Sequence, residues 1–96
     1  MLKIDLLKID TALTKYSIVK NINFQYICFR NQALISDEVR AIRQTIYANK
    51  ENVSVVEKFL NEKVRKPKFF KVKVCYLPDD LTVSDLETLD FMISLD

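Results

Sequence analysis

The stretch from Ser54 to Leu77 reads SVVEKFLNEKVRKPKFFKVKVCYL and carries a helical period followed by a strand period. Ser54 and Glu57 have the spacing of a helix capping box, and apolar residues recur at helical intervals until Pro67, which cannot continue a helix. From residue 68 onward, alternation places one apolar set on a single face: Phe70, Val72, Val74 and Tyr76. The stretch predicts a helix over 54–66 and a strand over 68–77.

The segments on either side of this stretch extend the same alternation of elements. Apolar residues at 22, 24, 26 and 28 alternate with Asn23 and Gln25, which predicts a strand over 22–29. Ser36 or Asp37 is a candidate N-cap for a helix that runs to about Ala48. A second capping box, from Ser84 to Glu87, predicts a last helix that reaches the end of the chain.

The N-terminal segment fits two interpretations. Apolar residues at helical intervals favour an amphipathic helix: Leu2, Leu6, Ile9, Leu13, Tyr16 and Val19. Residues 13–20 also alternate in the manner of a strand. The sequence therefore predicts one compact α+β domain over 1–96, in the order α-β-α-α-β-α with a small antiparallel sheet. The alternative is an N-terminal β-meander followed by helices.

The composition argues against catalysis. The chain of 96 residues contains neither glycine nor histidine, which excludes the glycine-rich phosphate loops and removes the commonest general base and metal ligand. Its serines lack a histidine partner, and a turn plus a helix cap account for the acidic residues Asp79, Asp80, Asp85 and Glu87. We therefore expect no enzyme activity, no cofactor and no metal site.

The charge is divided unevenly along the chain. Residues 1–78 carry 15 basic and 7 acidic side chains, whereas residues 79–96 carry 6 acidic and no basic ones. The segment 63–73, named the basic segment here, has no acid and six cations: Lys63, Arg65, Lys66, Lys68, Lys71 and Lys73. Such a segment could follow a phosphate backbone while Phe69 stacks on an unpaired base. Lysines on an edge strand also discourage aggregation, so both interpretations stay open.

Two further hypotheses concern this charge pattern. The predicted element order matches the start of a winged helix, with 53–66 in the place of the recognition helix, although Glu57 and Glu62 oppose binding to phosphates. The acidic tail, residues 79–96, could instead lie against the basic segment of its own chain or of a second copy. A homodimer is therefore one possible assembly.

With catalysis set aside, the sequence favours an accessory or inhibitor protein that acts by binding a protein partner. The alternative is a winged-helix-like or basic-strand regulator that binds nucleic acid through 63–73. Candidate anchors for a protein interface are aromatic and arginine side chains: Phe69, Tyr47, Tyr76, Arg40 and Arg43. Low glycine and proline beside abundant lysine, isoleucine and asparagine suggest an AT-rich genome, and hence a phage or mobile-element origin.

The same features favour a cytoplasmic protein. No apolar run exceeds four residues, which is far below the length of a membrane span, and charges interrupt the first residues of the chain. Cys28 and Cys75 have no metal-binding spacing and fall in apolar stretches. We expect both to be reduced, structural thiols.

Overall fold

The computed structural model describes residues 1–18 and 21–95, and four helices dominate it. The helices are α1 (Lys3–Tyr16), α2 (Ile22–Ala48), α3 (Val53–Leu60) and α4 (Val83–Leu89). Two strands of two residues each, β1 (Val72–Lys73) and β2 (Ile93–Ser94), follow α3 and α4. Short 3-10 turns at Val74–Tyr76 and Asp90–Met92 complete the elements. The predicted extension of the first apolar stripe to Val19 lies outside the described residues.

Helices α1 and α2 form an antiparallel hairpin that contains most of the core. Three contacts show that the helices are antiparallel, because residues later in the first helix contact residues earlier in the second. They are Asp10 with Arg43, Thr14 with Gln32, and Ser17 with Gln25. Each helix buries one stripe at helical spacing. The buried residues of α1 are Leu6, Ile9, Ala12, Leu13 and Tyr16, and those of α2 are Phe24, Cys28, Asn31, Ile35, Val39 and Ile42.

The predicted α-β-α-α-β-α order is wrong at its second element, because residues 22–29 are the first turns of α2. Asn21 caps this helix by accepting a hydrogen bond from the Phe24 backbone N–H at 3.1 Å. No glycine or proline interrupts residues 22–48, so one helix of 27 residues replaces the predicted strand, loop and helix. The predicted cap at Ser36 or Asp37 is wrong for the same reason, because both residues lie inside α2.

The N-terminal β-meander is also wrong, because α1 is a regular helix. Its first turn begins with Leu2, whose N–H donates to Asp5 Oδ2 at 2.9 Å. Leu2 also pairs with Lys63 in an isolated antiparallel bridge. The backbone of 62–64 therefore hydrogen bonds to residues 1–3, which explains why α3 ends at Leu60 and not at the predicted residue 66.

The predicted antiparallel sheet is wrong as well. Within the described part of the chain the strands are β1 and β2, which pair in parallel with Val72 opposite Ile93 and Lys73 opposite Ser94. The chain leaves β1, passes through α4 and returns beside β1 in the same direction, and such a crossover gives parallel strands. Of the predicted strand over 68–77, residues 72 and 73 form β1, residues 74–76 form a 3-10 turn, and residues 68–71 have no regular secondary structure. The predicted last helix ends at Leu89. The winged-helix hypothesis loses its support, because no β-hairpin follows α3 among the described residues.

Both predicted capping boxes are displaced by two residues. Asn52 caps α3 by accepting from the Val55 N–H, and Thr82 caps α4 by accepting from the Asp85 N–H at 3.1 Å. The Ser54 hydroxyl donates to the capping Asn52 Oδ1 at 3.3 Å. Asparagine and threonine are as able as serine to cap a helix, so the serine-to-glutamate spacing did not single out the cap.

The molecule is elongated, with principal extents of 44 × 23 × 22 Å and a helical fraction of 67%. The long axis is set by α2, since 27 helical residues span about 40 Å. No helix among residues 1–18 and 21–95 is both long and apolar enough to cross a membrane. One side of α2 faces the core, and its opposite side lies on the molecular surface.

Candidate binding surface

The N-terminal half of α2 is apolar on its outer side as well as on its core side. Four residues spaced by four, three and four positions form this side, which we name the outer stripe: Ile22, Tyr26, Phe29 and Ala33. At 100° per residue they fall within about 60° of arc. Ile22 is 74% exposed, Tyr26 56% and Phe29 52%. Adjacent large apolar side chains with this exposure form a patch, and contiguous exposed patches commonly mark interaction sites.

Arg30 fixes one edge of the outer stripe. Its Nη1 donates a hydrogen bond to the Tyr26 hydroxyl at 3.0 Å, and its guanidinium carbon lies 3.8 Å from the centroid of the Phe70 ring. The guanidinium therefore lies between two aromatic side chains, Tyr26 of α2 and Phe70 of the segment before β1. This arrangement holds Tyr26 in a defined orientation on the surface.

A shallow groove continues the surface beyond this edge. Leu34 of α2, which is 44% exposed, lines it together with Val64, Arg65 and Pro67. The groove is mostly apolar, and Arg65 is the cation of the basic segment that borders it. The outer stripe and the groove thus lie on neighbouring sides of α2.

Asn31 hydrogen bonds to the segment before β1 and so positions the Phe70 ring. Its side-chain Nδ2 donates to the Phe70 carbonyl at 3.0 Å, and its Oδ1 accepts from the Phe70 N–H at 2.8 Å. The amide also lies 3.6 Å from the sulfur of Met92. Asn31 is completely buried, and its amide offers the Phe70 backbone the donor and the acceptor that a neighbouring strand would offer. We name this contact the amide clamp.

The amide clamp explains why the segment just before β1 is held without belonging to a sheet. A buried backbone N–H and C=O require partners, and a strand normally finds them on another strand. Here one side chain satisfies both groups of Phe70, so sheet pairing begins only at Val72. The sequence pattern predicted a strand over 68–77 and gave no sign that an asparagine in a helix was the partner of Phe70.

The six cations of the basic segment are exposed, and the described ion pairs use none of them. Phe69, however, packs on Phe91 with ring centroids 4.2 Å apart, and Lys71 Nζ donates to the Phe91 carbonyl at 2.9 Å. The backbone of the segment also pairs with other parts of the molecule, with Leu2 at Lys63 and with Ser94 at Lys73. Phe69 and one of the lysines of the segment are therefore already engaged within the molecule, as is the Phe70 ring under Arg30.

Residues 79–95 of the acidic tail lie beside the basic segment, but the described contacts between the two are not made by carboxylates. Strand β2 pairs with β1 through the backbone, and Phe91 contributes the ring and carbonyl contacts described above. The carboxylate of Asp85 turns instead to α1. Its Oδ2 accepts from Lys15 Nζ at 2.7 Å and from the Tyr16 hydroxyl at 2.6 Å.

These hydrogen bonds perturb the titration of Asp85. Hydrogen bonds with the side chains of Lys15, Tyr16 and Thr82 lower the pKa of the carboxyl to about 2, while partial burial opposes them. The Tyr16 hydroxyl also accepts from the Thr82 N–H at 3.3 Å, so α4 is attached to α1 through one polar cluster. In the same cluster, the hydrogen bond to Asp85 raises the pKa of Lys15.

This cluster predicts a decline in stability in acid. Because the folded-state pKa of Asp85 lies below its unfolded value of 3.8, its contribution is present above pH 4 and is lost as the pH falls toward 2. Urea unfolding followed by circular dichroism between pH 5 and pH 2 measures the decline. In Asp85→Asn the decline should be smaller over this window. An equal decline in both proteins would mean that other carboxyls cause it.

The remaining predicted anchors lie away from the outer stripe. Arg40 pairs with Asp37 one turn earlier on α2 at 3.0 Å, and Arg43 pairs with Asp10 across the helical hairpin at 3.1 Å. Tyr47 is 72% exposed at the far end of α2, where Lys50 lies over its ring at 4.5 Å. Tyr76 is partly buried in a 3-10 turn and packs against the core. The structure does not bring these residues together into one surface.

The two cysteines differ. Both are free thiols in the structure, but Cys28 is buried in the core side of α2, and burial raises its pKa to about 12. Cys75 is exposed in the 3-10 turn after β1, which corrects the expectation that both cysteines are structural thiols of the interior. Among the described residues, no group of three or more Cys, Asp and Glu side chains is placed to hold a metal ion.

The sequence-based interpretation missed the surface residues that the structure groups together: Ile22, Tyr26, Phe29, Arg30 and Leu34. A signal for them was present. Read at helical spacing, Phe24, Cys28 and Asn31 form one stripe and Ile22, Tyr26 and Phe29 form another. Two apolar stripes on one helix would have indicated a second contact surface.

Comparison of the chain with protein-family models, with curated proteins and with solved structures finds no match.

Proposed function

We propose that this protein is a non-catalytic accessory or inhibitor protein that acts by binding a protein partner through the outer stripe of α2. The observation that carries the proposal is the exposure of Ile22, Tyr26 and Phe29 on one side of a helix whose other side is fully packed. Arg30 adds a positioned guanidinium between two rings at the edge of the same surface. Aromatic and arginine side chains contribute most of the binding energy in protein interfaces.

The arrangement of the basic segment favours a protein partner over nucleic acid. A base-stacking role requires an exposed ring, and Phe69 is packed on Phe91 instead. Lys71 donates to a backbone carbonyl of its own chain. Nucleic-acid binding through 63–73 is therefore the alternative, supported by the cations that have no carboxylate partner in the described structure.

Affinity capture with paired variants tests the proposal. In Phe29→Ser the outer stripe loses its central ring, whereas in Tyr47→Ser an exposed aromatic of the same helix is lost about 27 Å away. From an extract of the source cells, we expect wild type and Tyr47→Ser to retain the same protein. Phe29→Ser should retain at least about thirtyfold less of this protein, which corresponds to the loss of about 2 kcal/mol from one interface hot spot.

Two results would contradict the proposal. Equal capture by all three proteins would exclude the outer stripe as the contact. Micromolar binding of labelled single-stranded or duplex DNA, with a steep salt dependence and with loss in a Lys68→Glu/Lys73→Glu variant, would favour the nucleic-acid alternative. The same titration with Phe29→Ser is the control, because the outer stripe should not affect binding to phosphates.

The proposed setting is the cytoplasm of a cell that carries a phage or mobile element. Its support is compositional, since glycine is absent and lysine, isoleucine and asparagine are abundant. A GC-rich coding sequence would remove the support for a mobile-element origin and would leave the proposed binding surface unaffected.

A further inference from the structure

We propose that the partner that covers the outer stripe is a second copy of this chain, packed antiparallel through α2 in a two-fold symmetric dimer. This inference rests on the proposed function, because it assigns the occupant of the same surface. It starts from the spacing of the stripe. The intervals from Ile22 to Tyr26, Phe29 and Ala33 are four, three and four residues, the spacing of a helix pair that interlocks side chains.

The spacing is the same when it is read in either direction, and this makes the stripe complementary to itself. In an antiparallel pair of helices, opposed residues have numbers with a constant sum. A sum of 55 places Ile22 opposite Ala33 of the second copy and Tyr26 opposite Phe29 of the second copy. Each large side chain then meets an apolar one, and the small Ala33 leaves room for Ile22.

The flanking residues fit the same arrangement. On one side of the stripe Arg30 would face Asn23 of the second copy, and on the other side Gln25 would face Gln32. The window 22–33 contains one charged side chain, and Arg30 is already held by the Tyr26 hydroxyl and the Phe70 ring. The stripe therefore does not require an oppositely charged partner, and two copies would meet without an unpaired carboxylate between them.

The size of the surface sets the expected affinity. A fully covered aromatic side chain buries roughly 150 to 250 Å², so the half-exposed Tyr26 and Phe29 each add about 100 Å² per copy. With Ile22 and Ala33 the total for two copies is below about 1,200 Å², in the range of weak or transient interfaces. We therefore expect a weak dimer that dissociates on dilution.

Sedimentation velocity over about 1 to 500 µM protein tests dimer formation. Wild type and Tyr47→Ser should shift from monomer to dimer across this range, whereas Phe29→Asp should remain monomeric. A wild-type protein that stays monomeric at all concentrations would overturn the inference. If capture of a cellular protein still depends on Phe29 in that case, the proposed function stands and only the identity of the partner is wrong.

Cross-linking tests the antiparallel arrangement. In a Cys75→Ser background, Ile22→Cys and Ala33→Cys are prepared separately and oxidised alone or mixed. The mixture should give a disulfide-linked dimer at least about tenfold faster than either protein alone, because residues 22 and 33 are opposed only between copies. Fast cross-linking of each protein alone would indicate parallel helices and would contradict the proposal. Glu38→Cys, exposed on another side of α2, should not cross-link with either.

Discussion

Asn31→Ala should destabilise the protein by about 2 to 4 kcal/mol, although it removes a single polar side chain from a helix. The substitution leaves the Phe70 N–H and C=O without their partner, and each unpaired buried group costs about 1 to 3 kcal/mol. It also opens space beside Met92 in the core. Urea unfolding monitored by helical circular dichroism measures the loss. A change below about 1 kcal/mol would show that the amide clamp is not needed for stability.

Asn31→Asp separates hydrogen bonding from packing, because the two side chains have the same shape. The carboxylate can still accept from the Phe70 N–H, but it cannot donate to the Phe70 carbonyl. At pH 7 we expect a loss at least as large as that of Asn31→Ala, since the buried charge lacks a cationic partner. Burial raises the pKa of the introduced carboxyl, so the variant should recover stability relative to wild type as the pH falls from 7 to 5. A loss independent of pH would contradict this account.

Phe24→Ala should cost about 3 to 5 kcal/mol, and Ile22→Ala should change the free energy of unfolding by less than about 1 kcal/mol. Phe24 is completely buried and meets Tyr16 in an edge-to-face contact with centroids 6.1 Å apart. Ile22, two residues earlier, is 74% exposed on the other side of α2. Both substitutions introduce alanine into the same helix, so the two variants differ little in helix propensity. Unfolding in urea compares their free energies of unfolding directly.

This pair also distinguishes the helix from the strand that alternation predicts over 22–29. In a strand, residues two apart share a face, and both variants would affect the same contacts. In a helix, residues two apart lie on nearly opposite sides. Similar losses for Ile22→Ala and Phe24→Ala would therefore support the strand and contradict α2 as described.

The comparison of α1 with the start of α2 explains how much of the fold was predictable. In α1 the apolar residues Leu6, Ile9, Leu13 and Tyr16 recur only at helical intervals, and the helix was predicted. At the start of α2 both sides are apolar, and two stripes offset by two residues imitate alternation. The strand prediction failed there because the outer stripe added apolar residues that the core does not require.

The parallel strands were beyond sequence-based prediction for a different reason. Each strand has two residues. Phe70, in the segment before β1, is held by Asn31, which lies 39 residues earlier in α2. Local patterns carry no information on such a pairing. The residues of the proposed binding surface were not predicted. The expected arginine anchors, Arg40 and Arg43, form ion pairs, whereas the arginine beside the outer stripe is Arg30, which contacts Tyr26.

Because Asn31 of α2 holds the backbone of Phe70, the two parts of the chain depend on each other during folding. Asn31 can offer its amide to Phe70 only after α2 has wound and turned that side to the interior. The helical hairpin of α1 and α2 lies earlier in the chain and closes over a short connection, so we expect it to form before the C-terminal third. Residues 67–95 would then pack onto a hairpin that already presents Asn31 to them.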